Sequence, residues 1–364
     1  MKRLIISLVL CSFAAFTGFA QTDLQPAAIV KLTKSEPITV KQLKGETEKL
    51  VRETLMQNLR RPPTAAEINT AIQALTAAEK RQVLDVMINE KLAIQAAERD
   101  KVTISDNEVN QQLQQLRSQM AQAAGRQPTD AEFALAIKNE TGLELSAFRD
   151  QIRRQGLVQK YLMSKKQNVL EGVKTPTEAD ILTFYNNAKA QFVRPETIRF
   201  SMIQVPFGAN AADRTKARDL ANRLFREIGA SPTKFDEAVL RGQAPNSGYQ
   251  AGDAGFMPRQ TETQQVMGME FINTAFSLKQ GEVSKLIEGA QGFQIIKVTE
   301  TYDQKFLALD DMVQPGTRIT VRDYITQGLS QQYQQEILER ATQELVTELR
   351  RGNPFQVFEN NLNW

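Results

Sequence analysis

Residues 288–300 read EGAQGFQIIKVTE, and they give the clearest indication of the fold in the second half of the chain. Its isoleucine- and valine-rich run follows a glycine, which predicts a strand. Upstream, residues 197–207 (TIRFSMIQVPF) alternate apolar and polar side chains, as a half-buried strand does. Residues 211–228 repeat apolar side chains at helical spacing, and a further helix is expected around 269–276. These segments predict a compact α+β domain of about 100 residues.

The first half of the chain carries a repeated signal for the start of a helix. A hydroxyl residue is followed three positions later by an acid, so each side chain can bond a backbone N–H of the other residue. Between the signals, apolar residues recur at spacings of three and four, which predicts amphipathic helices. The pairs are Thr64 with Glu67, Thr76 with Glu79, Ser105 with Glu108, Thr129 with Glu132, and Thr177 with Asp180.

The last part of the chain predicts a long helix with one apolar face, which includes Leu329, Ile337, Ala341, Leu345 and Leu349. No neighbouring segment is available to cover this face, so we expect it to pack back on the N-terminal helices. The fold class is therefore a discontinuous α-helical domain with an inserted α+β domain. The expected boundaries are a helical domain at 21–175, a linker helix at 176–195, the α+β domain at 196–303 and C-terminal helices at 304–364.

Residues 1–20 have the features of a cleavable secretory signal. Lys2 and Arg3 precede an apolar run, and the run ends in small residues before Gln21. A lipoprotein anchored through Cys11 is disfavoured, because Leu10 stands where a small residue is usual. No later stretch is apolar over the roughly 18 residues that a membrane helix needs. We therefore expect a periplasmic or other extracytoplasmic protein.

Composition excludes several classes of function. The sequence has no histidine and a single cysteine, so histidine-dependent nucleophiles and histidine-ligated zinc are ruled out. Without Lys2 and Arg3, 43 of the 45 basic residues remain against 42 acidic ones, a net charge of +1. Such a balance argues against binding to nucleic acid. We expect neither a cofactor nor a metal ion.

The order of these parts resembles the SurA and PrsA group of extracytoplasmic foldases, in which a helical chaperone domain carries one or more parvulin-type prolyl isomerase domains. In the N-terminal half the similarity lies in VKLTKSEPITVKQL (30–43) and VLDVMINEKLAIQAAERDKVTISDNEV (83–109). In the second half it lies in LTFYNNAKAQFVRPETIRF (182–200), AGDAGFMPR (251–259), FINTAFSLKQGEVSKLIE (271–288) and GFQIIKV (292–298). The remaining length holds no second parvulin domain.

The resemblance also implies where a catalytic site would lie, and there this sequence departs from the family. The two parvulin histidines correspond to Met202 and Gln294, and the acid or cysteine position falls near Ala244. No catalytic residue is therefore identified. The apolar cup for the proline ring is implied at Phe256, Met257, Met267 and Phe271, beside Gln294, although the same apolar set also suits plain core.

Three functions remain open. In the first, the protein is a chaperone for unfolded exported or outer-membrane proteins, and its parvulin-like domain is mainly a binding module. In the second, it is a prolyl isomerase that works through the apolar cup with Gln294 and a nearby hydroxyl such as Ser201. The third is a non-chaperone envelope scaffold. The expected partners are unfolded polypeptides, and a homodimer is possible by analogy with relatives.

Overall fold

The structure, a computed structural model, describes residues 23–364 and divides into two compact units. The first unit contains the chain up to Val173 together with Gln334–Trp364, and the second contains Lys174–Tyr333. The predicted signal segment at 1–20, with Cys11, lies outside the described residues. Among residues 23–364, no helix has both the length and the apolar character needed to cross a membrane.

The N-terminal segment of the first unit is two short strands followed by helices. The elements are β1 (Pro26–Val30), β2 (Glu36–Thr39), α1 (Val40–Leu59), α2 (Ala65–Ala74), α3 (Ala77–Arg99), α4 (Asp106–Ala124), α5 (Asp130–Thr141), α6 (Leu145–Lys165) and the single turn α7 (Gln167–Leu170). The strands form an antiparallel pair.

The predicted helix starts are confirmed. Each of the five hydroxyl–acid pairs forms a reciprocal capping box, and these boxes open helices α2 to α5 and the first helix of the second unit. A sixth box, which uses Gln42 in place of an acid, begins α1 at Thr39. Each cap satisfies backbone N–H groups that the helix leaves unpaired, and such a cap stabilises a helix by about 1 kcal/mol.

The second unit is α+β. Its elements are α8 (Glu178–Ala188), β3 (Val193–Arg194), β4 (Thr197–Pro206), α9 (Ala211–Ile228), α10 (Pro232–Gly242), β5 (Gln250–Pro258), α11 (Thr261–Met267), α12 (Met269–Ser277), β6 (Ile287–Glu288), β7 (Gly292–Tyr302) and β8 (Lys305–Phe306). The strands β3 and β8 pair with each other, and the other four form an antiparallel sheet in the order β5-β4-β7-β6.

The two faces of this four-stranded sheet are buried against different helices. On the first, which we call the α9 face, Ile203, Val205 and Ile295 pack in one core with residues of α9 and α10. On the other, the α12 face, Phe200 and Ile296 pack with residues of α12. The side chains separate in this way because successive residues of a strand point to opposite faces of the sheet.

The chain then returns to the helical unit. The long helix α13 (Val321–Leu349) ends there, and β9 (Phe355–Val357) adds to β1 as a third strand. The buried residues Ala341, Leu345 and Leu349 share one core with the fully buried stripe of α3, which is Leu84, Ile88, Leu92 and Ala96. The predicted fold class, a discontinuous helical domain with an inserted α+β domain, is confirmed. The expectation that Leu329 packs on the N-terminal helices is wrong, because this part of α13 belongs to the second unit, where Leu329 shares a core with Ile181 and Phe192.

Candidate functional site

A groove of about 480 Å³ opens on the α12 face of the second unit. Strand β4, strand β5 and helix α11 form its walls, and most of the lining side chains are apolar. The lining residues are Phe200, Met202, Ala254, Phe256, Met257, Glu262, Thr263, Val266 and Met267. This is the part of the fold where the resemblance implies a proline cup.

The local sequence explains how the groove is shaped. Phe200 and Met202 alternate with residues of the opposite face, so both side chains point toward α12. On β5 the register with β4 shifts, because Phe200 pairs with Gly255 whereas Ser201 pairs with Asp253. Ala254 is therefore the extra residue of a β-bulge, a feature that bends a strand and redirects its side chains.

Three methionines supply much of the groove. Met202 and Met267 are partly buried against the core, whereas Met257 is only 5% exposed. Thioether side chains are flexible and polarizable, so they can adapt to apolar groups of different shape. The sequence-predicted residues Met202, Met257 and Met267 therefore come together in one site.

Phe271 does not line the groove. It is 1% exposed, and its ring packs edge to face on Phe200 with 5.7 Å between the ring centroids. Phe271 thus supports the floor of the groove from inside the core. The resemblance implied that Phe271 lines the apolar cup, but its ring is not at the surface of this groove.

Phe256 lines the groove, yet its ring makes contacts elsewhere. Phe256 pairs with Arg199 of the neighbouring strand β4. The residues directly before and after Phe256 in β5 are at positions that face α12. Its ring centroid lies 5.2 Å from the Arg199 guanidinium carbon and 6.0 Å from the Tyr302 ring centroid. The ring also lies close to Gly316, since a Cβ atom built there would be 2.5 Å from it.

Gln294 lies on the α12 face but outside the residues that line the groove. Its side chain is beside Gly289, in the turn between β6 and β7, and the residue is 9% exposed. The Gln294 Oε1 atom is buried and accepts no hydrogen bond from residues 23–364. A buried acceptor without a hydrogen-bond partner is rare and lowers stability by about 1–3 kcal/mol. We therefore expect this oxygen to accept a hydrogen bond from a ligand or from a water molecule.

Two further residues considered for the site, one at the family's acid or cysteine position and one the hydroxyl suggested to assist Gln294, do not line the groove. Ala244 is exposed in the loop after α10, and it does not line the groove. Ser201 alternates with Met202 and so faces the α9 side of the sheet. The expectation that Ser201 assists Gln294 is wrong, because the two side chains are on opposite faces.

Ion pairs hold the outer side of the bulged strand. The Arg199 guanidinium contacts the carboxylates of Asp253 and Glu300, with Nη1 of Arg199 3.0 Å from Oε1 of Glu300. Hydrogen bonds from Arg199 and from the backbone N–H of Gly255 hold the pKa of Asp253 below its ordinary value. This network fixes the two residues that flank Ala254 at the rim of the groove.

A second apolar groove, of about 450 Å³, lies in the helical unit between α1, α2 and α3. The apolar residues that line it are Leu50, Val51, Leu55, Ala71, Leu75, Val83 and Val86. The hydroxyls of Thr47 and Thr54 donate to carbonyls of their own helix, so they offer little to a ligand. Sequence reasoning did not locate this groove, although Val86 departs from the buried stripe of α3 and is 62% exposed.

Two family models match the chain. Residues 1–162 match the SurA-like N-terminal domain, and residues 176–314 match the PPIC-type PPIASE domain. The chain is a SurA/PrsA-like protein with one PPIC-type domain. The α12-face groove lies within the second match and the helical groove within the first.

Curated relatives carry the same two names. A protein named chaperone SurA from Saccharophagus degradans is 24% identical over 83% of this chain and 64% of its own length. The foldase protein PrsA of Clostridium botulinum is 23% identical over 78% of this chain and 75% of its own. The chain thus spans less than two thirds of the SurA relative.

One solved structure, of a SurA-like chaperone of Campylobacter jejuni, aligns with 82% of this chain and 92% of its own at 18% identity and a TM-score of 0.31.

Proposed function

We propose that this protein is an extracytoplasmic chaperone that binds unfolded exported or outer-membrane proteins, and that its PPIC-type domain acts mainly as a binding module. The names of the relatives support the first part, since they are chaperones and foldases. The groove on the α12 face supports the second part.

The main support for the binding-module proposal is the chemistry of that groove. Catalysis of prolyl isomerisation needs groups that bind the twisted amide more tightly than the planar one. Here Met202 lines the groove at the position of one family histidine, and Gln294 and Ala244 are outside the lining. Apolar walls with methionines bind varied apolar segments, as a chaperone requires, without a polar network around the amide.

The helical groove supports the same function. Its walls are mainly apolar, and Val86 leaves much of its side chain in contact with solvent. A loosely specific apolar surface is suited to unfolded chains, whose exposed apolar residues gain by burial. Each of the two units therefore has an apolar groove of its own that suits unfolded polypeptide.

The test is a prolyl isomerisation assay on a set of X-Pro peptides. We compare the wild type with a variant in which histidine replaces both Met202 and Gln294. The expected result is that wild type leaves the uncatalysed rate unchanged, while it still slows the aggregation of a denatured protein at stoichiometric concentration. Acceleration by wild type would show that the domain is an enzyme and would overturn the binding-module proposal.

The second candidate function, an active prolyl isomerase, is favoured by one observation. The Gln294 Oε1 atom is buried without a partner, as a group kept for an N–H of a bound polypeptide would be. The matched variant is Gln294→Leu, which keeps the shape and removes the oxygen. If wild type accelerates isomerisation and Gln294→Leu does not, the isomerase hypothesis is correct.

The third candidate, an envelope scaffold, predicts that no denatured protein is protected from aggregation.

Localisation outside the cytoplasm is tested by cell fractionation, and the mass of the mature chain shows whether the chain is cleaved before Gln21. The homodimer stays a prediction, and light scattering with size-exclusion chromatography measures it.

A further inference from the structure

The α12-face groove contains a single charged side chain, that of Glu262 at the start of α11. All the other lining residues are uncharged, and all except Thr263 are apolar. A ligand that fills the groove with an apolar side chain therefore meets one carboxylate at the edge. The sign of that charge decides which flanking residues on the ligand are favoured.

Glu262 has no partner of its own in the described part of the chain. It makes no hydrogen bond and no ion pair with residues 23–364, and its side chain is exposed. Two arginines that lie within two residues of the groove lining in the sequence are already paired. Arg199 contacts Asp253 and Glu300, and Arg259 Nη1 lies 2.8 Å from Oε2 of Glu196. The uncompensated charge at the groove is thus negative.

The wall that carries Glu262 also leaves apolar surface uncovered. Val266 lies one helical turn after Glu262, on the same side of α11, and is 79% exposed. The Thr263 hydroxyl makes no hydrogen bond within residues 23–364. An apolar surface with a carboxylate one turn away is complementary to a segment that places an apolar residue next to a cation.

We propose that this groove binds extended polypeptide segments in which an apolar residue is flanked by lysine or arginine, and that Glu262 is the residue that selects the cation. The inference rests on the proposed function, because it names the kind of client that the binding module takes. Segments flanked by aspartate or glutamate are repelled by Glu262, so the groove discriminates by repulsion as well as by attraction.

The experiment uses the full chain and three fluorescent peptides that share one extended apolar core. The residues on both sides of the core are lysine, glutamine or glutamate, and binding is followed by fluorescence anisotropy at low salt. Val266→Asn marks the part of the signal that comes from this groove. Glu237→Gln is the matched control, because Glu237 is an exposed carboxylate on α10, the helix that covers the opposite face of the sheet.

For wild type and Glu237→Gln we expect the lysine peptide to bind about threefold more tightly than the glutamine peptide, the size typical of one exposed ion pair. Glu262→Gln should remove this difference between the lysine and glutamine peptides. Glu262→Lys should reverse the order, so that the glutamate peptide binds best. Addition of salt should reduce the preference in wild type.

Two failures are distinguishable. The inference about Glu262 is wrong if Val266→Asn weakens binding of the glutamine peptide but the flanking charge has no effect on affinity. It is also wrong if Glu262→Gln still prefers the lysine peptide. In both cases the binding-module proposal stands. If Val266→Asn changes the binding of no peptide, the groove does not take polypeptide, and both the inference and the binding-module proposal are overturned.

Discussion

The Lys166 ammonium nitrogen lies 2.7 Å from Oε1 of Glu348, although the two residues are 182 positions apart in the sequence. The same nitrogen is 3.2 Å from Oε2 of Glu344. The Lys166 side chain is 8% exposed, and it joins the end of α6 to the last turns of α13. A charge at the edge of the core thus links the N-terminal and C-terminal segments of one helical domain.

Lys166→Met should destabilise the helical domain by about 1–2 kcal/mol, because the charged hydrogen bonds to two carboxylates are lost while the aliphatic contacts remain. Urea denaturation followed by far-UV circular dichroism measures the change. The control is Lys160→Met, which removes an ion pair between side chains that are 47% and 41% exposed. Such a pair contributes little, and equal destabilisation by both substitutions would contradict the role given to Lys166.

Acid should weaken the helical domain between about pH 4.5 and about pH 2, because three capping carboxyls have pKa values of about 2. The pKa of Glu108 is lowered by the Lys160 ammonium and by hydrogen bonds from Ser105, and Glu67 and Glu132 are held in the same way by Arg61 with Thr64 and by Arg126 with Thr129. A carboxyl whose folded pKa is depressed stabilises the fold above its unfolded pKa and loses that contribution as the pH falls through the folded value.

Thermal unfolding at a series of pH values checks this expectation. Glutamine at positions 67, 108 and 132 should lower the Tm at pH 6 and flatten its decline in acid. Between pH 6 and 8 the Tm should stay constant, since the sequence contains no histidine. If the Tm of the triple variant falls in acid as much as the Tm of wild type does, other carboxyls are responsible for the decline.

Much of this architecture could be predicted because its signals are local. A capping box needs only two residues three positions apart, and the alternation in 197–207 is enough to give β4. The roles of Phe256 and Phe271 could not be predicted in the same way. The sequence indicates that both are apolar, but a face is assigned only once the register is known. Strand β5, which the sequence analysis did not predict as a strand, carries a bulge at Ala254.

The position of Phe271 also changes how the groove is tested. Because its ring is almost wholly buried, Phe271→Ala should cost about 3–5 kcal/mol of stability, and lost binding would then report unfolding. Val266 and Met267, which line the groove itself, are better probes.

Gly316→Ala should destabilise the second unit by about 2–3 kcal/mol, because alanine meets both an unfavourable backbone conformation and the Phe256 ring. Gly316 has φ +81°, and an added Cβ would lie 2.5 Å from that ring. Gly281→Ala is the matched control, since Gly281 has φ +86° and no atom within 4 Å of the added Cβ. The control should cost only about 1 kcal/mol.

Both variants are measured by urea denaturation, and the pair Gly316→Ala with Phe256→Leu closes a double-mutant cycle. The smaller leucine side chain should relieve part of the contact, so the two substitutions together should cost less than their sum. Additive costs would mean that the alanine at position 316 does not meet the Phe256 ring.

Val86→Asp should impair the holding of unfolded chains without unfolding the helical domain. Val86 lines the helical groove and is 62% exposed, so a carboxylate there remains hydrated but opposes the entry of an apolar segment. We expect about threefold more protein to be needed to suppress the aggregation of a denatured client, and a stability within about 0.5 kcal/mol of wild type. Leu135→Asp is the control, because Leu135 is 58% exposed on α5 and does not line this groove. If both variants hold the client as well as wild type does, the helical groove takes no part in binding, and the α12-face groove must account for it alone.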